Sequence, residues 1–333
     1  MRQSTPGLTI TPVLQILFIT FPFFALVLCG YVAARRSLLS LDAIPGLNSF
    51  VLFFALPCML YRFGSTTPVA QLFDGGVFLV WLLSAGVIVP LAIVVSKNQR
   101  IRWNDASFGA LVAAFPNTGF MGVPLLVALL GPAAAGPIIL TMAVDMLFTT
   151  SLCIALSRLD GADEHGFAHA AKNALKGMLF NPMPWSIVLG GVASAVSLAL
   201  PAPLLKTIGL LADAASPVAL FTIGAVLARS QMLAAVHKHP PIPLRDYLPV
   251  AAIKLLLHPL LVMGMGTAAV ALGLPLSPMT LTVLVLAAAL PSASNVSLLA
   301  ERFGADNGRI ARIILVSTVA AFFTFSLAVT LLT

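Results

Sequence analysis

Long apolar runs separated by short polar stretches dominate the chain. Ten of them, at 11–34, 43–62, 75–95, 106–130, 136–157, 182–200, 206–228, 247–272, 279–300 and 308–331, have about the length of roughly 20 residues that a helix needs to cross hydrocarbon. The pattern predicts an all-α integral membrane protein with ten transmembrane helices. The first run is too long for a signal sequence. It extends from Thr11 to Ala34 and ends in Arg35-Arg36 rather than at a clear cleavage site, so it reads as the first span. Proline interrupts several runs, at Pro22, Pro57, Pro116, Pro217 and Pro291. Membrane helices tolerate this where neighbouring groups re-satisfy the freed backbone.

The basic residues fall on alternate loops. One side of the expected membrane holds Arg2, Arg62 and Lys206, the other holds fourteen, and Lys254 is left inside the eighth run. An extra or missing span would scramble this alternation. The positive-inside rule then puts both termini outside. The longest polar stretch, Arg158 to Gly177, separates two sets of five runs. It reads as a cytoplasmic linker, 158–177, between a first five-helix repeat, 11–157, and a second, 178–331, within one transmembrane domain covering 1–333. Five spans per half gives the halves opposite topology, the inverted-repeat design of many secondary transporters. His165 and His169 lie four apart in the linker and read as part of a solvated connector.

Composition agrees with the pattern. The chain is 59% hydrophobic and 9% charged, with mean hydropathy +1.04, where soluble domains are about a quarter charged. The net charge of +7 does not point to nucleic acid, because the basic residues sit in small groups between apolar runs. Cys29, Cys58 and Cys153 each lie inside an apolar stretch, with no CxxC pair or metal-ligand spacing. Neither a metal nor a cofactor is expected.

The fourth run is broken in its middle by Pro116-Asn117-Thr118-Gly119, with Gly122 and Pro124 just after. The ninth run is broken by Pro291-Ser292-Ala293-Ser294-Asn295. Each is the fourth span of its half. Proline removes a backbone donor and clashes with the preceding turn, and glycine lets the chain leave helical geometry cheaply. The freed N–H and C=O groups near mid-bilayer each cost several kcal/mol unless they line a cavity or meet each other. Two such breaks crossing would form an X whose half-helix N-termini attract an anion. Pro116, Asn117, Thr118, Gly119, Pro291, Ser292, Ser294 and Asn295 are therefore the expected substrate-binding residues.

Ionisable residues inside spans are a second source of candidates. Asp145 lies mid-span in the fifth run, without a neighbouring charge in sequence. Lys254 and His258 lie four apart in the eighth and share a helical face. These three are the expected proton- or ion-coupling residues. Asp42 and Asp213 read as carboxylates that open helices.

The residues exclude several functions. A lipid-headgroup transferase would want a DDxxD-type acidic pair, and a membrane protease HExxH or paired aspartates; neither is present. A channel would want a continuous rigid pore. A carrier for an anion remains, with a sodium-coupled organic-anion symporter of the bile-acid-carrier type as the alternative. At the broken spans the chain resembles the auxin efflux carrier family, which includes bacterial malonate-type carriers and plant auxin exporters. The resemblance rests on PNTGFMGVPLL (116–126), NPMPWSIVLG (181–190), SPVALFTIGAVLA (216–228), KLLLHPLL (254–261) and PSASNVSLLAERFG (291–304). It implies two inverted five-helix repeats, crossover helices in spans 4 and 9, elevator-type alternating access, a scaffold that is often dimeric, and an organic anion as substrate. The family's crossover asparagine maps onto Asn117, and Asn295 is its counterpart in the second break. Plant exporters carry asparagine-proline here, whereas Pro116 precedes Asn117. The long central loop of many plant members is also lacking. The resemblance is thus to a compact bacterial-type carrier of the inner membrane, multi-pass, with a mono- or dicarboxylate as cargo.

Overall fold

The computed structural model describes residues 12–66, 74–161, 182–236 and 242–333. They are helical, with no strand among them. In chain order the helices are α1 (Pro12–Arg35), α2 (Ile44–Thr66), α3 (Gly75–Ser96), α4 (Trp103–Ala114), α5 (Thr118–Leu130), α6 (Pro132–Ser157), α7 (Pro182–Ala195), α8 (Ala202–Val236), α9 (Leu248–Ala271), α10 (Pro278–Ala289), α11 (Val296–Arg302) and α12 (Asn307–Leu332). Six of these, α2, α3, α6, α8, α9 and α12, are long and apolar enough to cross a membrane. Shorter apolar helical stretches run over Phe21–Arg35, Thr118–Leu130, Trp185–Ala195 and Pro278–Ala289. The fourth and ninth apolar runs are each split in two. The linker histidines His165 and His169 lie outside the described residues.

Side-chain caps set several helix starts. The Asp74 carboxylate accepts from the amides of Gly76 and Val77 at 2.9 and 3.0 Å, opening α3. Ser277 accepts from Thr280 N–H at 3.0 Å at the start of α10, and Asp306 accepts from Arg309 N–H at 3.0 Å at the start of α12. α8 departs most from its expected length. It runs 35 residues to Val236 rather than ending near 228, because 229–236 holds neither glycine nor proline and the Tyr31 hydroxyl holds Gln231 at 2.7 Å. Asp213 does not open a helix. It lies inside α8 and pairs with Arg62 of α2 at 2.6 Å.

The helices pack as two groups. In the first, α1 lies along α8, and α2 lies against α7 and α8. In the second, α3 packs on α4, α6 and α9, α4 on α6, α9 on α10, and α12 on α9, α10 and α11. The first group closes on glycine. A Cβ at Gly30 would stand 1.8 Å from the Phe221 carbonyl oxygen, and one at Gly224 would stand 1.8 Å from that of Val27. The α2–α7 contact repeats this one. A Cβ at Gly190 would meet the Tyr61 carbonyl oxygen at 2.6 Å, and one at Gly64 that of Ile187 at 3.1 Å. Val27 and Gly30 thus correspond to Ile187 and Gly190, and Tyr61 and Gly64 to Phe221 and Gly224. The same shift along the sequence carries Pro57 to Pro217, and Ser37 to Ser197. Both serines have positive φ, 57° and 51°, just past the ends of α1 and α7.

Arg309 counts as a loop charge in the sequence pattern, yet it is buried at 1% exposure. Its Nε donates to the Asp246 carbonyl at 2.6 Å and its Nη1 to the Asp105 carbonyl at 2.8 Å. Asp105 in turn accepts from Asp306 N–H at 2.7 Å. The guanidinium therefore joins the starts of α4, α9 and α12, lying flat on Gly109, where an added Cβ would meet Nη1 at 2.7 Å and Nη2 at 2.9 Å. Because both carbonyl bonds fix the guanidinium, it has no room to give. Gly109→Ala is expected to lower stability by about 1–3 kcal/mol, read as a lower melting temperature in detergent. Gly86→Ala, in open space on α3, serves as the neutral control. Equal melting of the two variants would show that the guanidinium is free to shift.

Candidate functional site

The first break follows from local chemistry. α4 stops at Ala114, and Phe115 is extended (φ −95°, ψ 103°) because the proline after it disfavours helical geometry. Asn117 is neither helical nor extended (φ −76°, ψ 53°), and α5 then begins with a wide turn over Thr118–Gly122. The second break has the same form. α10 stops at Ala289, Leu290 before Pro291 is extended (φ −62°, ψ 155°), and α11 resumes at Val296.

The two breaks lie against each other. Asn117 N–H donates to the Pro291 carbonyl at 2.8 Å, and Ala293 N–H donates to the Phe115 carbonyl at 3.0 Å. Pro116 and Ser292 are thereby paired as an antiparallel bridge. Backbone groups that the prolines free from helical bonding are satisfied across the crossing, which is what a buried break requires. Serines on two further helices and a backbone carbonyl of α4 complete the frame. Ser292 N–H donates to Ser317 Oγ on α12 at 3.2 Å, and Ser292 Oγ donates to the Val112 carbonyl on α4 at 2.8 Å. Ser216 Oγ on α8 donates to the Phe120 carbonyl at 3.2 Å.

The expected site residues divide by what their polar atoms do. Ser292 is buried at 1% exposure and its hydroxyl is engaged in the frame. Thr118 is fully buried, with its hydroxyl 3.5 Å from the Pro116 carbonyl. Pro116 and Pro291 shape the crossing through their backbone. At Gly119 an added Cβ would meet Met142 Sδ at 3.1 Å, whereas at Gly122 it would meet Leu290 Cδ1 at 2.7 Å. Gly122 is therefore the glycine through which the two breaks approach. The side-chain amides of Asn117 and Asn295 and the hydroxyl of Ser294 make no hydrogen bond among the described residues. Asn117 is 5% exposed, and Ser294 and Asn295 are half-buried.

A cleft opens beside the crossing, between the two helix groups. Asn48 and Val51 of α2 and Ala219, Thr222, Ile223 and Val226 of α8 form one wall, and Phe120, Ser294 and Ser297 form the other. Asn48, Thr222 and Ser297 are polar positions the sequence pattern does not single out, since one polar residue in an apolar run carries no periodic signal.

The buried ionisable residues gather elsewhere. Asp145, Lys254 and His258 are 0–1% exposed. Asp145 opens a wide turn in α6, Asp145–Thr149, and Lys254 lies in one in α9, Ile253–Leu257; such turns recur at functional sites. Lys254 Nζ donates to the Ala288 carbonyl at 2.7 Å and stands 3.1 Å from His258 Nδ1. The Trp81 ring of α3 packs on His258 with centroids 5.4 Å apart. Thr149 Oγ1 donates to Asp145 Oδ1 at 3.0 Å. The Trp81 indole faces the same carboxylate, without closing a bond to Oδ2, which has no partner among the described residues. These residues do not line the cleft. No cluster of three metal-ligating side chains occurs among the described residues.

Residues 9–329 match the family described as Membrane transport protein. A Rhizobium meliloti protein named "Putative malonate transporter" is 29% identical over 311 residues, 93% of each chain. The Escherichia coli K12 protein "Uncharacterized transporter YfdV" is 27% identical over 85% of this chain and 86% of its own. "Auxin efflux carrier component 4" of Arabidopsis thaliana is 26% identical over 144 residues, 42% of this chain and 23% of that one. These relatives are transporters rather than enzymes, and the chain belongs to the auxin efflux carrier family of membrane transport proteins.

Proposed function

We propose that this chain is a secondary transporter of a small organic anion, a mono- or dicarboxylate of about malonate size. The observation that carries the reading is the pairing of two helix breaks beside a cleft that Ser294 lines, with the Asn117 and Asn295 amides outside that lining and without a hydrogen bond among the described residues. Two backbone bonds, Asn117 to Pro291 and Ala293 to Phe115, tie the breaks together without a ligand. The asparagine N–H groups remain as donors for a carboxylate. α5 begins at the break, which directs the positive end of its dipole there. The amides of Gly119 and Phe120 in its first turn have no backbone acceptor among the described residues. Among the described residues no lysine or arginine lines the cleft. Neutral donors bind an anion without holding it as an ion pair would, as a carrier that must release its cargo needs.

The same reading takes the chain as ten spans in two inverted five-helix repeats, with both termini outside a bacterial inner membrane. Its support is the pair of glycine contacts, α1 on α8 and α2 on α7, related by one shift along the sequence. The cleft between the two helix groups supports an elevator motion, in which the group bearing the breaks slides against the group closed by glycine. A relative named for malonate supports that size of cargo. A thermal-shift screen of short mono- and dicarboxylates in detergent tests the binding step. A ligand at 100 times its Kd adds about 2.7 kcal/mol of stability, so malonate-sized acids are expected to raise the melting temperature and organic cations to leave it unchanged. Stabilisation by cations alone would contradict the reading.

A further inference from the structure

The buried charges lie outside the cleft and still reach the crossing. Ala288, whose carbonyl accepts from Lys254 Nζ at 2.7 Å, is one residue from the end of α10 and three from Pro291. The ammonium therefore sits at the negative end of a half-helix, where it satisfies a carbonyl that the break would otherwise leave open. Its second neighbour is His258 Nδ1 at 3.1 Å. Asp145 supplies an attractive charge to Lys254 from α6, yet no ion pair within 4.0 Å closes between them among the described residues. One carboxylate oxygen stays unpartnered and wholly buried. A purely structural pair would close, because each buried ion loses several kcal/mol of hydration that only direct contact offsets.

On the transporter reading above, we propose that Asp145 is the proton-binding site of the carrier and that Lys254 is the positioning residue that carries its charge state to the second break. A proton from the aqueous side bonds to Asp145 Oδ2, converting a carboxylate to a neutral carboxylic acid. Lys254 then loses its counter-charge and is held by the Ala288 carbonyl and His258 alone, which changes the pull on the end of α10. The groups that face the site are few. From α3 comes the Trp81 indole, from α6 Asp145 and Thr149, with Cys153 farther along the helix, and from α9 Lys254 and His258. α10 offers only its carbonyl. The titratable residues of α4 and α12, Asp105, Arg309 and Arg312, sit in the first two turns of those helices. An ammonium beside the carboxylate favours a proton over a metal cation as the bound ion.

Two measurements test this. Infrared difference spectra of the purified protein across a pH titration are expected to show a buried protonated carboxyl band that Asp145→Asn removes. This readout needs no substrate, so it separates the proposal from the transporter reading. In proteoliposomes at clamped potential, wild type is expected to accumulate labelled malonate when a proton gradient is imposed. Asp145→Asn is expected to lose that accumulation at least tenfold while still exchanging internal for external malonate. Lys254→Met alone leaves a buried carboxylate without its cation and is expected to fold poorly. Asp145→Asn/Lys254→Met, neutral in sum, recovers folding and behaves as Asp145→Asn does. A carboxyl band unchanged in Asp145→Asn, or gradient-driven accumulation equal to wild type, overturns the proposal.

Discussion

Gly224→Ala is expected to leave almost no folded protein after detergent extraction. The added methyl would stand 1.8 Å from the Val27 carbonyl oxygen, well inside van der Waals contact, and the obstacle is backbone rather than a side chain that can rotate away. α1 and α8 would have to separate along their most extensive contact. Overpacking in an ordinary core is destabilising by about 1–3 kcal/mol; here the effect is expected to exceed that range, since relief requires moving a helix. Gly209→Ala on the same helix has open space around it and is expected to be neutral or stabilising by up to about 1 kcal/mol from helix propensity. Size-exclusion profiles and melting temperatures of the two variants decide the matter. Equal behaviour would mean that the α1–α8 crossing is looser than described.

The second large effect is expected at the asparagines. Asn117→Ala removes an amide that makes no hydrogen bond among the described residues, so its loss should be felt by the ligand and not by the fold. A hydrogen bond to a charged group contributes about 1.5–3 kcal/mol, so affinity for a carboxylate is expected to fall by about 10- to 100-fold with the melting temperature of the unliganded protein unchanged. Asn295→Ala is expected to act in the same direction. Ser292→Ala should do the opposite. It strips the Val112 carbonyl of its 2.8 Å donor in a fully buried frame, which is destabilising by about 1–3 kcal/mol, and affinity per folded molecule should change little. Transport and melting measured on the same preparations separate the two roles. A destabilised Asn117→Ala with normal affinity would place its side chain in the frame rather than in the site.

The breaks are legible in the sequence because a continuous membrane helix has little use for proline followed by small polar residues in its middle, and because the same pattern recurs in the fourth and ninth runs. That Pro116 and Pro291 lie together follows the same logic, since freed backbone in a membrane must meet a partner. The division of labour among the polar residues is not legible. Asn117, Ser292 and Ser294 look alike in sequence, and only geometry shows that the serine at 292 is engaged by the Val112 carbonyl while the asparagine is free. Arg309 misleads for a related reason. Charge counting sees that a basic residue lies at the edge of an apolar run but not that three helix starts fold over it. The glycine crossings do leave a trace in the sequence. Gly30, Ser37, Pro57 and Gly64 reappear as Gly190, Ser197, Pro217 and Gly224 in one unbroken register. Glycine is common in membrane helices, so the coincidence becomes informative only when the four are aligned together.

Counterflow of labelled malonate into liposomes holding the purified protein and unlabelled malonate separates a carrier from a channel. Saturable uptake that transiently overshoots equilibrium is expected, with competition by other short mono- or dicarboxylates and loss in Asn117→Ala at unchanged protein content. Steady unsaturable conductance, or counterflow in Asn117→Ala equal to that of wild type, would contradict the proposed carrier.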